Sequence, residues 1–155
     1  MDALPEDEDL VRQELTVYFC QLAEAFGLPR SIALIYAALY LAEKPLSVAE
    51  VIEKSGLSKG SVSHGLRLLE RMKFIHPVIS PTDRRSFYRP ELSLRKLAIG
   101  LVEENFLPAL KIGGGLLDDL SKVPVVSGHL KTRLVSLQRW NETALGLLPA
   151  LNLLD

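Results

Sequence analysis

Apolar positions recur at helical spacing twice between Leu46 and Phe74, and a capping signal precedes each run. Ser47, followed three residues later by Glu50, has the form of a capping box, with Leu46 and Val51 in staple positions around it. Ser58 can cap a second helix, again with staple partners in Leu57 and Val62. Gly56 suits the left-handed residue that ends the first helix. Two capped helices three residues apart predict a helix-turn-helix. In the second helix Val62, Leu66 and Leu69 form one buried stripe at i, i+4, i+7. Lys59, Gly60, Ser61, Ser63, His64, Arg67 and Arg71 lie largely off it. Ile75–Ser80 leans to β-structure and a polar turn follows at 81–85. Ser86–Arg89 then closes a hairpin whose first strand, carrying Pro77, suits a sheet edge.

The flanks are helical by the same reasoning. From about Glu8 to Phe26, Val11, Leu15, Tyr18, Leu22 and Phe26 space an amphipathic helix, stopped by Gly27 and Pro29, after an acidic entry at 2–9 expected to fray. Ser31–Glu43 is apolar most of the way round, so it is expected to be buried on most sides, with Tyr36 and Tyr40 as packing residues. Beyond the hairpin Ser93 can cap a long helix to about Leu110, with Leu94, Leu97 and Leu101 on one face and a kink or interruption at Pro108. Gly113-Gly114-Gly115 reads as a flexible joint, with a short helix resuming over 116–122 until Pro124. The last helix, about Ser127 to Leu148, places Leu130, Leu134, Leu137, Asn141, Ala144 and Leu148 in 4-3-4-3-4 spacing. That is a coiled-coil-like seam whose one polar residue can fix register between partners. Leu147, Leu148, Leu151, Leu153 and Leu154 crowd the end, and so much leucine needs a partner surface.

Composition narrows the class. A chain of 155 residues, 24% charged and 48% hydrophobic, is a globular fold with a real core. No apolar run reaches membrane-spanning length and the acidic start is unlike a signal peptide, so a cytoplasmic protein without a membrane partner is expected. Cys20, the only cysteine, excludes an intramolecular disulfide and reads as a small hydrophobe. His64, His76 and His129 stand at no metal-ligand spacing, and no arrangement of nucleophile and base is evident, so neither metal, cofactor nor catalysis is expected. The net charge of −1 conceals an asymmetry: residues 1–29 carry −6, residues 30–90 carry +5, and residues 91–155 are neutral. A cationic middle in a neutral chain is the footprint of a nucleic-acid module.

The second predicted helix can deliver that charge. Its first turns carry Lys, Gly and Ser, which permit close approach to base edges, and its N-terminal amides attract phosphate. Taken alone, the serines would better suit an ordinary solvated helix, and it is the hairpin that follows which favours the nucleic-acid reading. Leu57-Ser58-Lys59-Gly60-Ser61-Val62-Ser63 through Leu69-Glu70, followed by Asp83-Arg84-Arg85-Ser86-Phe87-Tyr88, resembles MarR-type winged helix-turn-helix regulators. The closer likeness is to the GbsR branch, whose repressors answer to small molecules such as choline. The likeness spans about Gly27 to Pro90, and departs from the family at Lys73, where such domains commonly have glycine.

The resemblance implies a mostly α fold with a small β-hairpin wing, flanked by N- and C-terminal dimerisation helices. The expected division is residues 1–27, a winged domain at 28–92, and a helical dimerisation region at 93–155. The implied function is a dimeric transcriptional repressor binding double-stranded DNA at a pseudo-palindromic operator and answering to a small-molecule effector. Lys59, Ser61, Ser63 and His64 are the base-reading candidates, Ser58 and Arg67 further DNA contacts, and Gly60 the point of close approach. Arg84 and Arg85 would carry the wing to the minor groove, with Asp83 bracing the turn. Arg30 is a candidate phosphate contact. Tyr18, Phe19, Phe106 and Trp140 could offer aromatic faces to a cationic effector, or simply pack. The rival reading is a winged protein–protein module without DNA binding.

Overall fold

A computed structural model describes residues 5–124 and 127–153, apart from the side chains of 151 and 152. Asp2, Leu154 and the side chain of Leu151 lie outside that description. The chain forms two compact units, residues 1–96 and 97–155. Among the described residues no helix is long and apolar enough to cross a membrane.

In the first unit α1 (Pro5–Ala25) packs against α2 (Arg30–Tyr40). From Pro5 onward the acidic entry belongs to the helix. Glu6, Asp7 and Glu8 lie in the first helical turn, where the helix dipole favours carboxylates. Gly27, at φ 70°, ends α1 with Gly27 N–H donating to Glu24 O and Leu28 N–H to Ala23 O. The face of α1 turned to α2 is not centred on the predicted stripe. Phe19 and Ala23 are buried, whereas Val11, Tyr18 and Phe26 are exposed. Phe19 wins the interior because its ring meets Tyr36 edge-on at 5.1 Å and Tyr40 at 4.9 Å. Tyr36 and Tyr40 are thus packing residues, as expected.

Helix α2 is the centre of this unit, with Ile32, Ala33, Ile35, Tyr36, Ala37 and Leu39 buried. Leu46–Ser47 forms a two-residue strand, β1, that the sequence reading missed. It is followed by α3 (Val48–Ser55) and α4 (Lys59–Arg71). Strands β2 (Ile75–Val78) and β3 (Phe87–Pro90) complete an antiparallel sheet in the order β1-β3-β2. Pro77 therefore lies on an edge strand, opposite Tyr88. The fold is a winged helix: a helix-turn-helix followed by a hairpin.

Where α4 ends, Phe74 N–H donates to Leu69 O at 2.9 Å and Lys73 N–H to Glu70 O at 3.0 Å. This closure places residue 73 in the left-handed region, and Lys73 adopts φ 61°. The resemblance leads one to expect glycine here, and Lys73 adopts the left-handed conformation that glycine favours. A side chain with a Cβ costs about 1–2 kcal/mol there, part of which glycine returns through its more flexible unfolded state. Lys73→Gly should therefore raise the unfolding free energy by about 0.5–1 kcal/mol. Urea denaturation will check the sign, and an unchanged or lowered midpoint would show that the lysine side chain outweighs its backbone strain.

Helix α5 (Leu94–Leu101) spans the boundary between the units. Ser93 Oγ accepts from Lys96 N–H at 3.4 Å, the predicted cap. Leu97 on the expected apolar face is buried, but Leu94 is exposed. A π-helical turn, Val102–Phe106, then leads into α6 (Leu107–Ser121), with Leu107 N–H donating five residues back to Val102 O. Pro108 explains it: proline has no N–H to give and its ring crowds the carbonyl four residues before, so the widened turn takes up the misfit.

Two expectations fail in the second unit. Gly113-Gly114-Gly115 is not a joint, because α6 runs straight through it. The glycines let α7 (Gly128–Leu147) come close: a Cβ on Gly114 would stand 2.8 Å from Asn141 Nδ2. Asn141 is buried against them, so the polar residue of the predicted seam is engaged within the chain. The seam itself divides. Leu134, Asn141 and Leu148 are at least half-buried, together with Gln138, which donates to Leu117 O at 3.3 Å. Leu130 and Leu137 are exposed, on a stripe that continues through Trp140 and Leu147. A short 3₁₀ segment, Leu148–Leu153, ends the described chain.

Candidate nucleic-acid interface

Helix α3 begins with the predicted reciprocal cap. Ser47 N–H donates to Glu50 Oε2 at 2.7 Å and Glu50 N–H to Ser47 Oγ at 3.3 Å. These hydrogen bonds hold the Glu50 carboxyl below its ordinary range. Gly56, at φ 69°, ends the helix and turns the chain toward α4. Ser58 then caps α4, its Oγ accepting from Ser61 N–H at 3.2 Å and donating to Ser61 Oγ at 3.0 Å. Ser61 thus retains a hydroxyl proton to donate outward.

The two faces of α4 separate as the sequence predicts. Val62, Leu66 and Leu69 are buried, while Lys59, Gly60, Ser61, His64 and Arg67 are exposed and Ser63 is half-buried. Sequence reading missed Gly65, which is buried beside them. A Cβ there would collide with Ile35 Cδ1 and stand 3.3 Å from Ile32 Cδ1, so this glycine sets how closely α4 lies on α2. Its signal was available: a glycine three residues after Val62, on the apolar side of a helix. Gly60 is its opposite, since a Cβ there would meet nothing within 4 Å. Packing among the described residues gives no reason for glycine at that position.

The wing treats its two arginines differently. Arg85 folds back, pairing with Asp83 at 2.7 Å and lying 5.2 Å from the Phe87 ring centroid. Asp83 also accepts from Arg85 N–H at 3.0 Å, which is the expected brace of the turn. The Arg85 side chain, above all, holds the Asp83 carboxyl below its ordinary range. Arg84 is exposed and has no ion pair among the described residues. Lys59 and Arg67 share that condition. Ile79, absent from the predicted set, stands 93% exposed at the start of the wing loop.

Glu91 fixes the root of the wing. Its carboxylate accepts from Ser93 N–H at 3.0 Å and lies 3.3 Å from His76 Nε2 and 3.5 Å from Lys96 Nζ. The Ser93 amide leads in holding this carboxyl below its ordinary range. The Tyr36 hydroxyl donates to Glu91 O, and burial raises the phenol's pKa, keeping it a neutral donor. One residue thereby ties α2, β2 and the start of α5 together. Arg30 is exposed at the start of α2, and Cys20 is half-buried. Phe19 is committed to the aromatic core and offers no free face to an effector.

A helix-turn-helix, an exposed cationic face on its second helix and a three-stranded winged sheet together bound the possibilities. Residues 26–86 match the MarR family profile. No curated protein matches the chain in sequence. A crystal structure of a transcriptional regulator superposes with a TM-score of 0.68 at 17% identity, covering 91% of this chain and 95% of the other. At that identity the likeness shows the fold: mostly helical, with a small antiparallel sheet, as in winged-helix MarR-like regulators. MepR, a transcription regulator of the Staphylococcus aureus multidrug efflux pump MepA, matches at a TM-score of 0.43 and 17% identity over 88% of this chain and 94% of MepR. A MepR variant bound to an oligodeoxyribonucleotide matches at 0.40 and 16%, over 88% and 94%. The matched segment contains every residue named above for α3 and α4, as well as both wing arginines.

Proposed function

We propose that the chain is a transcriptional repressor of the GbsR-like kind, cytoplasmic and dimeric, that binds a pseudo-palindromic DNA operator and is released or retained by a small molecule. Regulation, and no catalysis, is its activity. One observation carries the reading: on α4 of a MarR domain, Lys59, Gly60, Ser61, Ser63, His64 and Arg67 are left off the packed face, and Gly60 serves no contact inside the chain. Two chains joined through residues 1–27 and 93–155 would place two such helices in successive major grooves, roughly 34–36 Å apart.

Within this interface the residues divide by chemistry. Lys59, Ser61, Ser63 and His64 read bases, and Arg67 contacts phosphate. Ser58 acts chiefly as the cap that sets the helix N-terminus. In the wing Arg84 reaches DNA, whereas Arg85 shapes the turn through Asp83 and Phe87.

Duplexes selected by the protein from a random library supply the operator for the test. Arg67→Ala should weaken selected and random duplex alike and reduce the salt slope by about 1. Ser61→Ala or Lys59→Ala should cost about 1–3 kcal/mol, chiefly on the selected duplex. Arg84→Ala should cost more affinity than Arg85→Ala. Fluorescence anisotropy over a salt series reads all four variants. Equal losses on both duplexes for every variant would remove the reading face, and failure of the wild type to bind any duplex would make the winged domain a protein–protein module.

A further inference from the structure

Ile79 is 93% exposed, more than any other large hydrophobic residue among those described. A lone exposed aliphatic side chain is ordinary on a protein surface. The surroundings of this one are not. It opens the wing loop, residues 79–86, between β2 and β3. That loop is held by its own side chains. Thr82 N–H donates to Ser80 Oγ at 3.4 Å, and Arg85 N–H to Asp83 Oδ1 at 3.0 Å. The Arg85 side chain is tied further to the Asp83 carboxylate and the Phe87 ring. The two large side chains left over are Ile79 and Arg84, both exposed, and Arg84 has no ion pair among the described residues. Both border one hollow of the hairpin, of about 470 Å³. An ordered loop thus presents one branched apolar group and one uncommitted cation on the same surface.

We infer that Ile79 is a specificity residue of the wing, seated in the minor groove and selecting A·T over G·C pairs beside the segment that α4 reads. The inference rests on the proposed DNA binding and extends it to a residue outside the predicted set. With α4 in a major groove, the hairpin that follows through residues 72–74 meets the adjoining minor groove. That groove is about 6 Å wide and admits single side chains. Its floor shows only acceptors at A·T pairs, whereas G·C adds the guanine amino group. Arg84 can donate to the acceptors. Isoleucine has no acceptor to offer the guanine N–H, and its methyl groups need the space that the amino group fills. Branching at Cβ leaves the side chain stiff, so little freedom is lost on seating it.

Synthetic base pairs separate the two grooves. Inosine·cytosine carries the major-groove edge of G·C and the minor-groove edge of A·T, and diaminopurine·thymine is the converse. Each A·T pair of the selected duplex outside the segment mapped by Lys59→Ala and Ser61→Ala is replaced in turn by G·C and by both synthetic pairs. Fluorescence anisotropy with the full chain reads the affinities. At one or more positions G·C and diaminopurine·thymine should each weaken the wild type about tenfold, and inosine·cytosine by less than about twofold. Ile79→Ser, whose hydroxyl can accept from the guanine amino group, should bring all these pairs within about twofold of one another. Its urea midpoint and salt slope should match the wild type, whereas Arg84→Ala should weaken every duplex and lower the slope by about 1. Inosine·cytosine binding as weakly as G·C, full discrimination kept by Ile79→Ser, or no A·T preference outside the α4 segment would each overturn the inference while leaving α4 as the reading helix. A wild type that binds no duplex would remove the proposed function, and the inference with it.

Discussion

Leu137→Asp combined with Trp140→Asp should convert the protein to a monomer and lower operator affinity by roughly a hundredfold or more, with a much smaller loss on random DNA. The reason lies in the stripe of α7 that its own unit leaves uncovered. Leu130, Leu137, Trp140 and Leu147 are 51–63% exposed there, spaced as one face of a helix. Apolar surface in water costs about 25 cal/mol for each Å² that a partner could cover. Under the proposed function a second copy would cover it, because a two-fold interface would also supply the symmetry that a palindromic site requires. The adjoining stripe, Leu134, Gln138, Asn141, Leu145 and Leu148, carries neither substitution, so α7 keeps its seat on α6. A monomer would read one half-site, so the operator should suffer more than random sequence. Sedimentation at micromolar concentration and anisotropy on both duplexes decide the matter. A stable wild-type monomer would sink the paired-half-site mechanism.

The same helix shows where sequence reasoning stops. A 4-3-4-3-4 pattern gives periodicity, but both stripes of a helix buried on two sides share it. Nothing in the spacing said that Leu134, Asn141 and Leu148 face the chain's own α6 while Leu130 and Leu137 face out. The glycine triplet misled for a related reason. Glycine weakens an isolated helix by about 1 kcal/mol per residue, yet it is also the residue that admits a close neighbour, and only the partner, Asn141, tells which applies.

Local signals fared better. The caps at Ser47 and Ser58, the left-handed Gly56, the buried stripe of α4 and the edge position of Pro77 each depend on residues close in sequence, and each was legible. The two wing arginines could not be told apart until Asp83 and Phe87 were seen to hold one of them. Strand β1 was hidden because two residues carry no periodicity. Its hydrogen-bonding partner, β3, lies some forty residues away.

Two glycines on one helix should respond oppositely to the same substitution. Gly65→Ala introduces a methyl group against Ile35, a side chain wholly buried with little room to move, and should destabilise the fold by about 1–3 kcal/mol. Where the protein remains folded, its DNA affinity should fall only as far as the displaced helix requires. Gly60→Ala meets open space and replaces a poor helix former with the best, so the fold should gain about 0.5–1 kcal/mol. DNA binding should nevertheless weaken, because the new methyl group occupies the surface across which the backbone approaches a base edge. Gly60→Leu should enlarge that loss at least tenfold over Gly60→Ala while leaving the urea midpoint near the wild-type value. Stability and affinity thus move in opposite directions at residue 60 and together at residue 65. Urea denaturation paired with anisotropy on the selected duplex distinguishes them. If Gly60→Leu binds that duplex as tightly as the wild type, this face of α4 does not enter the groove, and the assignment of α4 as the reading helix fails with it.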